Sequence, residues 1–471
     1  MLVLNLLVKP FYLLGIDAGV QVRVGSEVYG VYAALLSLGF LLNIVLDLGI
    51  TNWNTRNIAQ HTQLMRKHLS GILGVRIILT VLYAVITFGV ALVLGYRGAE
   101  LSLLAVLVLN QALASLLLYL RSNIAGAQRF AQDSLLSALD RALLIGMVGW
   151  LLWGRTGGAP FDIRWFAWAQ TIAYGAAVLV ALVLVLRIGG GVGVKWNAPF
   201  SYMVLRQSAP FALLILLMSF YYRTDTVMLE RLLPDGPLQA GIYQQGFRFF
   251  EAFNMLGYLV AGLLLPMFSR MIQQRDDPAQ LTALAWRLML AGSLTVAIVC
   301  SVFSDEIMQL RYVEHTDVSA PAFAVLIWSF VAVSTTYVFG TLLTAAGDLR
   351  ALNMTAACGM LLNIALNLWA IPRYHALGAA CVSVTTQGLT ALAQVIIARK
   401  RFAGVVSASG LVRALVFALG VGAVAWWLHS TIDRPLLAMG ISLLIAVGLA
   451  GVTGLVGVGA IKKLLASRGA A

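Results

Sequence analysis

The stretch from Arg23 to Gly49, RVGSEVYGVYAALLSLGFLLNIVLDLG, returns in altered form about 210 residues later, from Arg231 to Gly257, as RLLPDGPLQAGIYQQGFRFFEAFNMLG. In each copy an apolar run ends in an Arg and an acidic turn containing Gly or Pro follows. A Gly-aliphatic-Tyr triplet, Gly30-Val31-Tyr32 or Gly241-Ile242-Tyr243, then opens the next run. The echo marks an internal duplication. In a membrane protein, duplication is the usual route to two bundles that rock against each other around a ligand path.

The surrounding composition fixes the class. Hydrophobic residues fill 61% of 471 positions and charged residues only 11%, where a soluble domain carries about 25% charged residues. Mean hydropathy is +0.90. A helix needs roughly 20 apolar residues to cross about 30 Å of hydrocarbon. The runs here are continuous and rich in Leu and Ala, whereas a barrel strand would alternate. The expected fold is therefore all-α and polytopic. Fourteen apolar runs are legible, at about 1–23, 29–50, 71–95, 100–120, 134–153, 164–187, 210–231, 240–268, 283–304, 320–345, 351–371, 376–398, 411–429 and 435–460. Pro10 and Pro266 fall inside runs, where each is expected to kink its helix.

The duplication orders these runs into two pseudo-symmetric six-helix lobes, residues 1–187 and 210–398, joined by a cytoplasmic linker at 188–209. Residues 399–471 add helices 13 and 14 and a cytoplasmic tail. The net charge of +13 is spread in small groups among the loops. It reads as topology signal and lipid-headgroup contact, with no nucleic-acid partner. Arg66, Lys67, Arg270, Arg275, Arg399, Lys400, Arg401, Lys462 and Lys463 fall on one side; Arg97, Arg155, Arg311, Arg373 and Arg434 fall on the other. This asymmetry predicts that both termini are cytoplasmic. Residues 52–71 read as an interfacial helix. Cys300, Cys358 and Cys381 lie in apolar runs without paired spacing, so they are expected to be small core residues.

Charge inside a span is a functional hypothesis by default, because even lenient insertion scales assign about 2.5–3.5 kcal/mol to Arg or Asp at mid-bilayer. Arg223 and Asp225 lie well inside helix 7. Arg248 and Glu251, three apart on helix 8, share a face. With Tyr243, Gln244 and Asn254 they give helix 8 a polar side that should line the interior. Two readings stand: the pairs neutralise each other and lock the bundle, or Arg248 and Arg223 face an anion. Arg23 and Asp47, at helix ends, read equally as residues that snorkel to the interfaces. Asp140 and Arg141 are adjacent, about 100° apart on a helix, and are expected to need separate partners. Asn363 and Asn367, four apart, are placed to bond helix to helix. The five histidines show no metal spacing, and no GxSxG, Walker A or HExxH motif is present. No catalytic residues and no metal site are expected.

The order VRVGSEVYGVY, then LDLGITNWNTRNIAQH, then RTDTVMLERLLPDGPLQAGIYQQGFRFFEA resembles the Wzx-type polysaccharide flippases of the multidrug/oligosaccharidyl-lipid/polysaccharide exporter superfamily, along almost the whole chain. The resemblance implies two six-helix lobes in a V shape in the bacterial cytoplasmic (inner) membrane. It implies alternating access that moves an undecaprenyl-pyrophosphate-linked oligosaccharide to the periplasmic leaflet for lipopolysaccharide, capsule or exopolysaccharide synthesis. It also implies cavity arginines that meet the pyrophosphate, Arg248 with Glu251 and Arg23 from helix 1; Arg223 joins them as a candidate from its place inside helix 7. Guanidinium forks match phosphate oxygens, so the chemistry agrees. Asp225, Glu251 and Asp47 are then the acids suited to take a proton or sodium ion, coupling transport to a gradient without a cofactor. The remaining expected partners are membrane lipids, a polysaccharide polymerase and glycosyltransferases. Two alternatives within transport are a lipid II flippase and a multidrug/cation antiporter; arginines inside the spans disfavour the second. A membrane-embedded sugar polymerase or ligase is disfavoured by short outer loops.

Overall fold

The structure is a computed structural model that describes residues 8–51, 54, 55, 58, 65–154, 160–189 and 198–456. Helix α1 combines a π-helical turn, Tyr12–Asp17, with an α-helical stretch, Ala18–Val24. Gly25, at φ 85°, reverses the chain directly into α2, Ser26–Leu42, which continues as Ile44–Asp47. Only glycine adopts that backbone without cost, so the two helices need no longer loop. The helices that follow are α3 (Met65–Val93), α4 (Ala99–Gly126), α5 (Phe130–Gly149 with a π-helical end Trp150–Gly154), α6 (Ile163–Gly189), α7 (Ala198–Leu232), α8 (Gly236–Gln274) and α9 (Ala279–Val302). A short helix, Ser304–Arg311, precedes α10, which is built from Thr316–Leu326 and Ser329–Ala345. Helical residues Leu349–Arg401 turn back at His375 (φ 50°, ψ −133°) and divide there into α11, 349–374, and α12, 376–401. The last two helices are α13 (Ala408–Thr431) and α14 (Pro435–Val452).

Among the described residues, eleven helical segments are long and apolar enough to cross a membrane. The turn at His375 makes two spans of one segment, and the shorter α1 and α2 bring the number to the expected fourteen. Helices satisfy their own backbone hydrogen bonds, which hydrocarbon requires of anything that crosses it.

Several local expectations are refined. Pro266 sits inside α8 as expected, and Pro321 and Pro372 also fall within helical stretches. Of the linker, residues from 198 onward extend α7, while 190–197 lie outside the described residues. Of the expected interfacial helix at 52–71, residues 65–71 begin α3 and most of 52–64 lies outside the described residues, as does the whole tail at 457–471. Cys300 is buried, but Cys358 and Cys381 are exposed, correcting their expected place in the core. An apolar run in a membrane protein is apolar on its lipid side too, so membership of a run does not fix burial.

The described chain forms two compact units, residues 1–244 and 245–471. In the first, α4 and α5 pack on α6, and α7 packs along α2. Its core joins Ile72, Val75 and Leu79 of α3 to Leu117 and Leu120 of α4 and to Ala177, Ala181 and Val185 of α6. In the second, α9 packs against α10, α13 and α14, and α10 against the α11–α12 hairpin. Helix α12 carries a buried polar stripe of Ser383, Thr386, Gln387, Thr390 and Gln394. Asn363 of α11 reaches it, donating to Thr386 Oγ1 at 3.5 Å, and Asn367 donates to Asn363 at 3.1 Å. The asparagine pair does link helix to helix.

At the top of this hairpin a Cβ on Gly378 would lie 2.6 Å from the Ala370 carbonyl oxygen, whereas one on Gly388 would meet nothing within 4 Å. We therefore expect Gly378→Ala to lower the thermal midpoint of the detergent-purified protein. Gly388→Ala, on the same helix, should leave it unchanged or raise it, since Ala is favoured over Gly by about 1 kcal/mol inside a helix. Equal effects would remove the close approach at Gly378 as the cause.

Candidate functional site

The two copies of the duplicated motif meet within the first unit. A Cβ added at Gly30 would lie 1.8 Å from the Pro237 carbonyl oxygen and 2.8 Å from the Gly241 nitrogen. One added at Gly241 would lie 1.9 Å from the Ser26 carbonyl oxygen. No side chain fits at either place. The starts of α2 and α8 cross backbone to backbone, as small residues allow between membrane helices. Gln21 of α1 fastens the crossing by donating to the Gly241 carbonyl at 2.7 Å.

A second correspondence surrounds the first. Asp17 on α1 and Asp225 on α7 each lie six residues before the motif's Arg, and both are almost fully buried, at 3% and 1% exposure. Tyr29 donates to Asp17 at 2.8 Å and Tyr243 to Asp225 at 3.0 Å, so an Asp–Tyr bond ties each helix to the next. Beside Asp225, Gln244 donates to Thr226 at 2.8 Å. Asp17 was not among the sequence candidates, although the shared Asp-x5-Arg spacing could have found it. Arg223 is half-buried with its guanidinium over the Phe40 ring, 4.7 Å from the centroid. Arg23 is exposed at the end of α1.

Further charges in the first unit went unnoticed in the sequence because each sits at a run end or inside an apolar run. Arg231 Nε lies 2.6 Å from Glu230 and its Nη2 3.3 Å from Glu100, and its guanidinium stacks 3.5 Å above Tyr96. Tyr96 donates to Glu230 at 2.7 Å. Burial, and then the Glu230 charge, hold the Tyr96 hydroxyl well above the ordinary tyrosine range, so it stays a donor at neutral pH. This network ties the α3–α4 turn to the end of α7.

At the other end of α2, Asp47 accepts from Thr51 and pairs with Arg76 of α3. Arg76 is 5% exposed. It also donates to the Ser115 carbonyl and hydroxyl at 2.9 Å and lies 4.6 Å over Tyr119. On α5, Arg141 Nε sits 3.6 Å from Asp140, so these neighbours do pair, contrary to the separate partners expected of them. The long Arg stem spans the 100° offset. Arg141 also packs over Tyr12 and Tyr174, at 4.5 and 5.8 Å.

In the second unit, Arg248 is 4% exposed and pairs with Glu251 at 2.6 Å, one turn along α8. Phe247 and Phe250 pack together beside it, and Gly246 fits against Phe323 of α10. Gln245 donates to the Glu314 carbonyl at 3.1 Å. The polar side of α8 thus faces protein, as its composition required. Of the sequence candidates, the structure joins Arg248 to Glu251 directly and gives Asp225 and Asp47 partners that were not foreseen. Arg248 and Arg76 are thus each paired with a partly buried carboxylate, Glu251 and Asp47, while Asp225 is held by a tyrosine hydroxyl. Among the described residues no cluster of three His, Cys, Asp or Glu side chains could hold a metal ion.

Gly30→Ala and Gly241→Ala should each lower the thermal midpoint in detergent by several degrees. The double variant should cost clearly less than the sum, because either methyl already parts the same crossing. Full additivity would show that the two glycines act separately.

The polysaccharide biosynthesis protein family model matches residues 20–272, more than half of the chain and both copies of the motif. No curated protein matches the chain. Among solved structures, the inward closed conformation of the lipid II flippase MurJ superposes with a TM-score of 0.72 at 12% identity, covering 96% of this chain and 95% of that one. An inward-facing multidrug resistance MATE family transporter of the MOP superfamily superposes at 0.63 with 14% identity, covering 85% and 97%. A MOP superfamily transporter from Pyrococcus furiosus gives 0.58 at 16% identity, covering 84% and 93%. At these identities the likeness establishes the fold. The chain belongs to the polysaccharide biosynthesis protein family and has the multi-pass, all-α fold of MOP superfamily transporters.

Proposed function

We propose that this protein is a flippase that moves an undecaprenyl-pyrophosphate-linked oligosaccharide across the bacterial inner membrane by alternating access. The observation that carries the reading is the buried Arg248–Glu251 pair on a membrane-spanning helix. A pyrophosphate can enter hydrocarbon depth only if protein charge replaces its water, and a guanidinium offers the matching fork. When no substrate is bound, Glu251 keeps the Arg248 charge compensated, avoiding the several kcal/mol that an unpaired buried charge costs. Arrival of the headgroup takes Arg248 over and releases Glu251. The freed carboxylate then has reason to take a proton or sodium ion, which couples the exchange to a gradient.

We extend the same phosphate-facing role to Arg223 and Arg23, each of which offers a guanidinium. Asp225, buried against Tyr243, is the second coupling acid. Asp47 is already matched by Arg76 and Thr51, so it would join the cycle only by letting Arg76 go. Family membership in polysaccharide biosynthesis supports the oligosaccharide substrate. The likeness to the lipid II flippase MurJ supports a second reading, in which the cargo is lipid II.

In cells that depend on this gene for surface polysaccharide, Arg248→Ala should abolish the polymer with protein level and membrane insertion unchanged, and Arg248→Lys should restore only part of it. Normal polymer in Arg248→Ala would take Arg248 out of the mechanism. Rescue of a strain lacking its lipid II flippase, without rescue of polysaccharide, would favour the second reading. The orientation, with both termini cytoplasmic, predicts the labelling of single cysteines in a background free of Cys300, Cys358 and Cys381. Asp235→Cys should react with a membrane-impermeant thiol reagent added outside, whereas Thr62→Cys and Lys400→Cys should react only after permeabilisation. The reverse pattern would invert the topology.

A further inference from the structure

The α11–α12 hairpin carries a feature that the transport reading does not use. The two helices turn at Pro372-Arg373-Tyr374-His375 with all four residues exposed. Gly378 presses on Ala370 just beyond the turn. Below that pinch the outer faces of the helices diverge around an apolar groove of about 450 Å³, lined by Leu366, Trp369, Tyr374, Leu377, Cys381 and Thr385 among others. From Tyr374 down to Leu366 is eight residues, or ~12 Å of helix. From Leu349 to Arg373 the helix rises ~37 Å, more than the hydrocarbon thickness, so the turn lies at headgroup level and the groove descends from it into the acyl region.

The rim of this groove is basic and aromatic. The Arg373 guanidinium lies 5.0 Å over the Trp369 ring and donates to the Trp369 carbonyl at 2.9 Å. Trp369 and Tyr374 are 53% and 54% exposed, with ring centroids 6.0 Å apart. Among the described residues no carboxylate pairs with Arg373, and a fixed cation at headgroup level attracts an anion. Indole and phenol rings settle at that same level.

We propose that the hairpin holds a resident acidic glycerophospholipid, with its phosphate on Arg373 and one acyl chain in the groove beneath Trp369 and Tyr374. The site is independent of the cargo assigned above: its cation lies at headgroup level and makes no pair with Glu251 or Asp225. A glycerophospholipid fits because the groove is short, open to the lipid side and capped by a single cation. Its task would be to brace a hairpin that has almost no loop.

Cys381 supplies a native reporter, since its thiol is exposed and lines the groove. The unaltered full-length protein would be reconstituted in nanodiscs of phosphatidylcholine with or without phosphatidylglycerol, and Cys381 alkylation by a lipophilic maleimide followed by peptide mass spectrometry. Phosphatidylglycerol should slow alkylation at Cys381 and leave Cys358, exposed on the neighbouring helix, unchanged. Native mass spectrometry of the delipidated protein should show phosphatidylglycerol retained about fivefold over phosphatidylcholine, the preference disappearing in Arg373→Gln. Thr385→Trp, which fills the groove, should reduce retention of both lipids while the thermal midpoint stays within the range of the unaltered protein. Equal retention of the two lipids, unaltered preference in Arg373→Gln, or equal slowing at Cys358 would each overturn the proposal. So would protection of Cys381 by undecaprenyl phosphate but not by phosphatidylglycerol, which would reassign the groove to the cargo lipid.

Discussion

A charge inside hydrocarbon has to be answered by the protein, and this requirement organises the polar half of the structure. Arg76, Arg141, Arg231 and Arg248 each have a carboxylate within 4 Å. The first three also lie over tyrosine rings. The cost of a lone charge reaches roughly 2.5–3.5 kcal/mol at mid-bilayer and is smaller toward the helix ends, where Arg231 sits. Pairing of this kind adds little net stability compared with apolar packing, but breaking it is expensive. The pairs therefore behave as fixed points between which apolar helices are arranged.

Steric constraint works beside the electrostatic one. Backbone-to-backbone passage at Gly30 and Gly241 places the starts of α2 and α8 against each other, and Gln21 adds a bond across it. Around that crossing, the Asp17–Tyr29 and Asp225–Tyr243 bonds make each helix pair a stapled hairpin. The tyrosines do not occupy matching positions: one precedes its glycine and the other follows two residues after. The duplicated chain has kept the bond while changing the residue that makes it.

Composition and run length sufficed for the fold, because hydrocarbon leaves a chain little choice but helices of about 20 residues. The Arg248–Glu251 contact was legible for a similarly local reason, since residues three apart on a helix share a face. Long-range partners were not. Nothing in the spacing of Asp47 and Arg76 indicates that they meet, because that contact depends on how α2 and α3 pack. Arg231 was visible only as punctuation at the end of a run, although its neighbours Tyr96 and Glu100 belong to a distant turn. Exposure was the hardest property to read: Cys358 and Cys381 look like core residues because a lipid-facing surface is as apolar as a core.

The Gly30–Gly241 crossing carries one more implication, for inheritance rather than mechanics. Most contacts between distant residues can drift, a larger side chain on one side being balanced by a smaller one on the other. Here both partners are already the smallest residue, so neither has a compensating change available. Such a contact leaves no correlated substitutions behind it. Methods that infer proximity from paired variation would pass over this crossing of the two repeats.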